Sequence, residues 1–183
     1  TAIIKLSLIN NKLKLVVYKT GSPTTLVSDS QVPAGEWSHV GATYDGTTLK
    51  LYINQIEQTT KATLASPIEA VNSLKNILGT SITATLPYVG YLGEFRIWNV
   101  ARTNDQIFFG SNKPRNLTGT VDTGLKRYYQ ILETALGNFI FNSIDSNQTV
   151  VSQVSNVGAV ISSDERPPII YGASFIPLLY NIT

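Results

Sequence analysis

The residues of this sequence that could do chemistry are its carboxylates and its single histidine, His39. Three glutamates are isolated on predicted loops or strand edges: Glu36, Glu57 and Glu133. Cleavage of a glycosidic bond needs two carboxyl groups facing one sugar, and a metal site or a triad needs partners for the imidazole. The spacing of these residues provides neither a facing pair of carboxyl groups nor partners for the histidine, so we expect no catalytic residue and no enzyme. We interpret His39 as packing with Trp37 on a sheet face.

Glu94 and Arg96 stand in the stretch "YVGYLGEFRIWNVARTNDQI", residues 88–107. Residues two apart in a strand share a face, so these two lie together while Phe95 and Ile97 point the other way. We interpret the pair as a cross-strand ion pair or hydrogen-bond anchor beside the core. The alternative is that both belong to a polar ligand surface.

Composition and charge exclude several classes of protein. The chain has 183 residues, 14 basic and 12 acidic, for a net charge of +2. The basic residues are scattered singly, which argues against nucleic acid as a partner. With no cysteine there are no disulfides or thiolate metal sites. No apolar stretch is long enough to predict a membrane span, and we expect any signal peptide to lie outside this sequence.

Alternation of apolar and polar residues predicts many short strands. Residues 2–9 and 12–18 read as two strands joined at Asn10-Asn11, since asparagine tolerates positive φ in a two-residue hairpin. The stretch 37–54 predicts a second hairpin that turns at Asp45-Gly46. Many short strands of this kind predict an antiparallel β-sandwich.

The remaining elements are weaker. Predicted strands occupy residues 57–64 (an edge strand), 74–78, 88–98, 125–132, 139–141 and 150–161, with a final strand or arm at 177–183. Thr103 and Gln106 have the spacing of a capping box and predict a short helix through Phe109, ended by Gly110. The stretch "GSNKPRNLTGTVDTG", residues 110–124, reads as a linker.

Two stretches resemble the laminin-G-like, or concanavalin A-like, jelly-roll superfamily, to which pentraxins also belong. The stretch "GEWSHVGATYDGTTLKLYIN" begins at Gly35, and "GYLGEFRIWNVARTNDQI" begins at Gly90. The residues at the family's motif positions are Trp37, His39, Tyr44, Asp45, Gly46, Glu94, Arg96 and Trp98. The resemblance implies an all-β, antiparallel jelly-roll β-sandwich with one short helix.

Departures from the family pattern shape the domain prediction. Gln55 replaces a glycine, which predicts a connection longer than a tight hairpin. The family's opening strands are absent before Thr1, so residues 1–110 are expected to form a laminin-G-like domain without them. Residues 111–183 would be a linker plus strands that either complete the sandwich or begin a second repeat, because residues 124–148 resemble the family's opening. Unpaired strand edges favour contact with neighbouring repeats or subunits.

Ligand predictions concern calcium and tyrosines. The loop that supplies acids to the double calcium site of pentraxins holds none here before Glu94. A single Ca²⁺ at Asp45 or Asp145 stays open, although Asp45 is more simply a turn former. Three tyrosines are the candidate ligand-binding residues, by stacking on sugars or anchoring a protein, unless they cap the sandwich edges: Tyr52, Tyr88 and Tyr91.

The sequence therefore predicts a non-catalytic recognition module of a larger surface or secreted protein. Its ligand would be a carbohydrate or a protein partner. The alternative is a structural module of a virion, appendage or surface layer. Both place the protein outside the cell, on a cell surface or on a virion.

Overall fold

The computed structural model describes residues 4–18, 22–64, 88–92, 95–110, 124–129, 139–141, 150–153 and 178–181. The strands in these ranges are β1 Ile4–Ile9, β2 Lys12–Val17, β3 Thr24–Gln31, β4 Trp37–Tyr44, β5 Thr48–Ile53, β6 Ile56–Glu57, β7 Ala62–Thr63, β8 Gly90–Leu92, β9 Phe95–Trp98, β10 Leu125–Tyr129, β11 Phe139–Phe141, β12 Val150–Gln153 and β13 Leu178–Asn181. One helix, α1, spans Asn104–Gly110. This content confirms the all-β prediction with one short helix.

The chain forms two compact units. The first is Thr1–Gly90 with Tyr180–Thr183, and it contains β1 to β7 and the end of β13, which lies beside β4. The second is Tyr91–Leu179, which contains β9 to β12 and α1. The predicted boundary at residue 110 stays a prediction, as does the role assigned to residues 111–183.

Strands β1, β2 and β3 form an antiparallel sheet in that order. Asn10 and Asn11 have φ of 50° and 59° and connect β1 to β2 through the pair Ile9↔Lys12. Two consecutive residues with positive φ make the type I′ turn, whose twist matches that of the strands it joins. The predicted asparagine hairpin is confirmed.

Strands β4, β5 and β6 form the second antiparallel array of the first unit, with β7 also on β5. Asn54 and Gln55 have φ of 47° and 72°, and Ile53 pairs directly with Ile56. The longer connection predicted from Gln55 is therefore wrong: glutamine adopts the left-handed conformation and the two-residue turn is kept. The predicted edge strand at 57–64 is two short strands, β6 and β7.

Leucine and valine side chains from both sheets fill the core of the first unit. The most buried aliphatic residues are Leu13, Leu15, Val17, Leu26, Val32, Leu49 and Leu51. Strand β3 packs against β5 and β7. Polar contacts join the same strands: the Ser30 N–H donates to Gln58 Oε1 at 2.9 Å, and the Thr60 N–H donates to Asp29 Oδ2 at 2.9 Å.

In the second unit β9 pairs with β10, and β11 pairs with β12. The capping box is confirmed, because the Gln106 N–H donates to Thr103 Oγ1 at 3.2 Å and the Thr103 N–H donates to Gln106 Oε1 at 3.1 Å. The predicted strand at 74–78 lies outside the described residues. Of the predicted strand at 88–98, the structure describes β8 and β9.

Candidate functional site

One face of the β4–β5–β6 array is polar. Directly paired residues of antiparallel strands share a face, and the pairs here are Thr43↔Lys50, Gly41↔Tyr52 and Tyr52↔Glu57. The opposite face carries the core residues Leu49, Leu51 and Ile53. We call Gly41, Thr43, Lys50, Tyr52 and Glu57 the polar face.

Glu57 is the centre of the polar face. Its Oε1 lies 2.7 Å from Lys61 Nζ, and its Oε2 lies 3.3 Å from Lys50 Nζ. The Tyr52 hydroxyl donates to the same Oε2 at 3.2 Å. A carboxylate with three such partners is held in place, so it acts as a structural anchor. Glu57 lies on an edge strand of its described sheet, as the sequence predicted, but its contacts with two lysines and Tyr52 were not predicted.

Tyr52 does not present its ring to solvent, contrary to the ligand-binding prediction. Alternation correctly places it on the face away from Leu51, yet the residue is only 1% exposed. Burial is the main cause that raises the pKa of its hydroxyl, and the negative charge of Glu57 adds to it. Tyr52 is thus a core residue of the polar face, which withdraws it from sugar stacking.

Gly41 is the one position of the polar face that has no side chain. A Cβ placed on it would lie 3.6 Å from His39 Cε1 and 3.7 Å from Tyr52 Cβ, which is ordinary van der Waals contact, so a methyl group fits there. The half-buried His39 is fixed through its backbone, because its N–H donates to Asn54 Oδ1 at 2.9 Å.

Asp45 is a turn residue, as its sequence context suggested. Its Oδ1 accepts the N–H of Thr47 at 2.9 Å, the N–H of Thr48 at 2.8 Å and the Thr47 hydroxyl at 2.9 Å. These donors lower the pKa of the carboxyl. These donors fix Oδ1 within the turn, and a calcium ion would have to use Oδ2, so the single-calcium prediction at Asp45 stays a prediction. Asp145 lies outside the described residues.

The described carboxylates are dispersed. Asp29 is bonded to Thr60, Asp45 lies in its turn, and Glu57 is held by two lysines and Tyr52. In the described part of the chain, no three of the His, Asp and Glu side chains gather into a group that could hold a metal ion. Within the same residues, no helix has the length and apolar character needed to cross a bilayer.

A family model described as the concanavalin A-like lectin/glucanases superfamily, of laminin-G type, matches residues 4–108. The chain belongs to this family. The match begins at the first residue of β1 and ends within α1, so it includes the polar face, both hairpins and the capping box of the laminin-G-type domain.

Known relatives share only part of their length with this laminin-G-type chain. Pappalysin-1 of Mus musculus and pappalysin-1 of Homo sapiens are each 31% identical to it over 88 residues, which is 46% of this chain and 5% of the relative. The chain thus spans about a twentieth of the curated relatives it matches. A crystal structure of residues 221–444 of an S-layer domain-containing protein from Clostridium thermocellum is similar at 24% identity, with a TM-score of 0.36 over 57% of this chain and 54% of that one.

Two of the laminin-G-type motif residues, Tyr44 and Gly46, shape the turn between β4 and β5. The Tyr44 hydroxyl donates to the carbonyls of Gly46 at 2.7 Å and Leu64 at 3.1 Å, which ties the Asp-Gly turn to the end of β7. Gly46 has φ of 103°, as that turn requires. Trp37 is half-buried on the same face of β4 as His39.

The other predicted site residues are only partly described. Tyr88 is half-buried, and burial raises the pKa of its hydroxyl. Glu94 and the side chain of Tyr91 lie outside the described residues, so the interpretation of Glu94 with Arg96 stays a prediction. Arg96 and Trp98 are half-buried on one face of β9.

Strand β1 carries a feature that sequence reasoning did not single out. Ile4 and Leu6 pair directly with Val17 and Leu15, so they extend the same apolar face. Ile4 is 57% exposed and Leu6 is 42% exposed. The sequence of β1 shows a row of aliphatic residues, which is also typical of a core strand. Only the strand order in the structure shows that β1 is the edge of its described sheet.

Proposed function

We propose that this laminin-G-type domain is a non-catalytic protein-recognition module of an extracellular or surface protein. It binds through the outer edge of β1, and the partner that fits this edge is the β1 strand of a second copy. The observation that carries the proposal is the exposure of Ile4 and Leu6 beside buried cross-strand partners.

The absence of catalysis is supported by the state of the described carboxylates. A glycosidase needs one carboxyl as acid and a second as base or nucleophile on the same sugar. Asp29 and Asp45 are each hydrogen-bonded to threonine donors, and these bonds lower the pKa of both carboxyls. Glu57 is neutralised by Lys50 and Lys61. Neither aspartate has the raised pKa that a general acid at neutral pH requires.

A free strand edge invites pairing with another strand. Among the described residues, β1 pairs on one side with β2 and with no strand on the other. The unpaired N–H and C=O groups of such an edge are a template for an added strand, and alternate side chains provide specificity.

The sequence of β1, Ile-Lys-Leu-Ser-Leu-Ile, suits antiparallel pairing with itself. A two-fold axis at Leu6 places Leu6 opposite Leu6 of the second copy and Ile4 opposite Leu8. An axis at Ser7 places Leu6 opposite Leu8. Both registers keep the aliphatic row on one face, and both place each Lys5 away from the other, so like charges do not meet.

Single cysteines test this pairing directly, since the natural chain contains none. Directly opposed residues of antiparallel strands have Cα separations of about 4.5–5.5 Å, within the range that a disulfide tolerates. We expect Leu6→Cys or Ser7→Cys, according to the register, to form a disulfide-linked dimer under mild oxidation. Thr59→Cys, exposed on the β6–β7 loop, is the control that should remain monomeric.

The result that would overturn the proposal is equal, slow cross-linking of all three variants. Cross-linking of Leu6→Cys or Ser7→Cys that is abolished by a Lys substitution at Ile4 would support it, because a charge in the aliphatic row disrupts the contact without touching the thiol.

A second candidate function is carbohydrate binding on the polar face at Gly41. It is favoured by the polar residues paired beside that glycine and by the space that a methyl group would fill there. Gly41→Ala is expected to abolish any glycan-array signal while leaving the thermal unfolding midpoint nearly unchanged. A glycan signal that survives Gly41→Ala would place the sugar site elsewhere.

A further inference from the structure

The outer face of the β1–β2–β3 sheet is basic. The leucines of β2 are buried in the core, so alternation along the strand places Lys12 and Lys14 on the opposite face. Lys5 of β1 pairs directly with Val16 of β2 and therefore shares that outer face. We call Lys5, Lys12 and Lys14 the lysine row.

The lysine row follows the direction of β2. Successive residues on one face of a strand lie about 6.4–6.8 Å apart, and this spacing separates Lys12 from Lys14. Lys14 pairs with Ser7, which makes Lys5 the diagonal neighbour of Lys14 on β1. Diagonal neighbours lie about 7–8 Å apart. The three side chains therefore start from a nearly straight line at nearly equal intervals.

The charges of the lysine row are not compensated by the chain. None of its three ammonium groups makes an ion pair or a hydrogen bond in the part of the chain that the structure describes. Hydrogen bonds from Thr60 and, to a smaller extent, the charge of Lys12 lower the pKa of Asp29, but the Asp29 carboxylate is already bonded to Thr60. Like charges in one row repel each other, and a bound anion would relieve that repulsion.

Exposed apolar side chains lie at both ends of the lysine row. Ile9 pairs with Lys12 on the outer face and is 45% exposed. Tyr18 directly follows β2 and is 37% exposed, and the alternation of β2 places its ring on the same face. Val16 is buried, which is expected beside a paired lysine, Lys5, because lysine stems cover apolar surface.

We propose that the lysine row, with Tyr18 at its end, binds an acidic polysaccharide. The sugar chain lies along β2, its anionic groups contact the three ammonium groups, and one of its rings stacks on Tyr18. Lysine is a flexible point charge, so it accepts carboxylate and sulfate groups alike. This face lies beside the β1 edge and not on it, so binding requires neither a second copy nor the proposed function.

A polysaccharide fits this face better than a protein or a nucleic acid does. Evenly spaced charges on an open sheet face suit an extended polymer that carries charge at regular intervals, and an exposed tyrosine suits a sugar ring. Protein interfaces are enriched in arginine and depleted in lysine, and β1 to β3 contain no arginine. Nucleic-acid sites are positively charged grooves, whereas the net charge of this chain is only +2.

The test uses two fluorescein-labelled probes, with binding followed by fluorescence anisotropy. Oligogalacturonate presents carboxylates and a dextran sulfate oligosaccharide presents sulfates, while labelled neutral dextran is the control for charge. We expect saturable binding of at least one acidic probe, weakening as salt is added. Binding of either acidic probe supports the proposal, and the tighter one identifies the anionic group.

Substitutions locate the site. Lys14→Gln should weaken binding by up to about fivefold and make its salt dependence shallower, and Lys14→Arg should retain binding because the charge is kept. Lys5→Gln, Lys12→Gln and Lys14→Gln combined should weaken it by at least about tenfold. Lys126→Gln removes one exposed charge from the second unit and should leave binding nearly unchanged. Tyr18→Ala should weaken binding without changing its salt dependence, since the ring carries no charge.

The absence of binding by both acidic probes would overturn the proposal. Equal losses in Lys14→Gln and Lys126→Gln would also overturn it, because net charge alone would then be responsible. Neutral dextran that binds as tightly as the acidic probes would contradict the role of the lysines. Tighter binding of labelled single-stranded DNA or of oligoglutamate would show that the face serves another polyanion. Cross-linking through β1 is a separate measurement, so the two proposals fail independently.

Discussion

Leu6 and Leu15 are direct cross-strand partners, yet Leu15 is 2% exposed and Leu6 is 42% exposed. The two side chains lie on one face of the β1–β2 hairpin, so the difference comes from what covers each strand. The apolar face of the sheet therefore continues from the buried strand β2 onto β1, where it is exposed to solvent. This boundary is the physical basis of the proposed recognition edge.

Alanine substitutions should report this difference. Leu15→Ala removes a buried side chain and leaves a cavity, so we expect a loss of about 2–5 kcal/mol in the free energy of unfolding. Leu6→Ala at low protein concentration should cost less than about 1 kcal/mol, because a large part of this residue, 42%, is already exposed to water. Urea titration followed by circular dichroism measures both. Equal losses would show that Leu6 is covered in the monomer.

The hydroxyl of Tyr52 should matter more than either lysine of the polar face. Tyr52→Phe removes a buried donor to Glu57 and should cost about 0.5–1.5 kcal/mol. Lys61→Gln removes a partner that is nearly half exposed, for which about 0–1 kcal/mol is typical. Chemical denaturation of both variants provides the comparison, and a larger loss in Lys61→Gln would contradict the assigned geometry.

Alkaline pH should destabilise the first unit because two of its tyrosines, Tyr52 and Tyr88, are wholly or partly buried. Burial raises the pKa of Tyr52 and Tyr88. Because the pKa of these tyrosines is higher in the folded state, their neutral hydroxyls stabilise the fold fully at pH values below the unfolded pKa of about 10. This stabilisation is lost as the pH rises through the folded pKa. The unfolding midpoint should therefore fall above pH ~10, and Tyr52→Phe should reduce the slope. An identical slope in the variant would argue that Tyr52 ionises as freely as an exposed phenol.

Acid should loosen the contact between β3 and the β6–β7 loop. Hydrogen bonds from the hydroxyl and N–H of Thr60 lower the pKa of Asp29. Because its pKa is lower in the folded state, the Asp29 carboxylate stabilises the fold fully at pH values above its unfolded pKa of about 3.9. This stabilisation is lost as the pH falls through the folded pKa. Asp29→Asn should match the parent at low pH but be less stable at neutral pH. Thermal scans at both pH values test this, and a constant difference between the two proteins would contradict it.

Gly124 should tolerate no side chain at the junction before β10. Its φ is 90°, and a Cβ would lie 2.6 Å from Val100 Cγ2 and 3.0 Å from Asn99 Oδ1. Backbone strain of this kind costs about 1–3 kcal/mol, and the clash adds to it. Gly124→Ala should therefore destabilise the second unit, and adding Val100→Ala should recover part of the loss. No recovery in the double variant, measured by hydrogen exchange of β9, would indicate that strain alone is responsible.

Local patterns in the sequence predicted the hairpins and the helix cap well. Asn10-Asn11, Asp45-Gly46 and the Thr103–Gln106 box act through hydrogen bonds and dihedral preferences that extend over a few residues, so their outcome is independent of distant structure. Gln55 was mispredicted because a good cross-strand pair, Ile53↔Ile56, outweighs the moderate cost of positive φ in a glutamine.

The site residues were harder to predict because burial is a property of neighbouring strands. Alternation correctly placed Tyr52 on the face opposite the core leucines, but it could not show that the residue would be buried and its hydroxyl bonded to Glu57. A type I′ turn at 54–55 would have placed Glu57 opposite Tyr52 by register alone. Arg102, whose Cζ lies 4.0 Å from the centroid of the Trp98 ring, carries no sequence signal that distinguishes it from a solvated arginine, since this stacking depends on how the chain leaves β9.

Sedimentation velocity over a dilution series tests the central claim most directly. The parent chain should pass from dimer to monomer on dilution, Leu6→Lys should sediment as a monomer throughout, and Thr59→Lys should behave as the parent does. A parent that is monomeric at every concentration, or a dimer that Leu6→Lys leaves intact, would contradict recognition through β1.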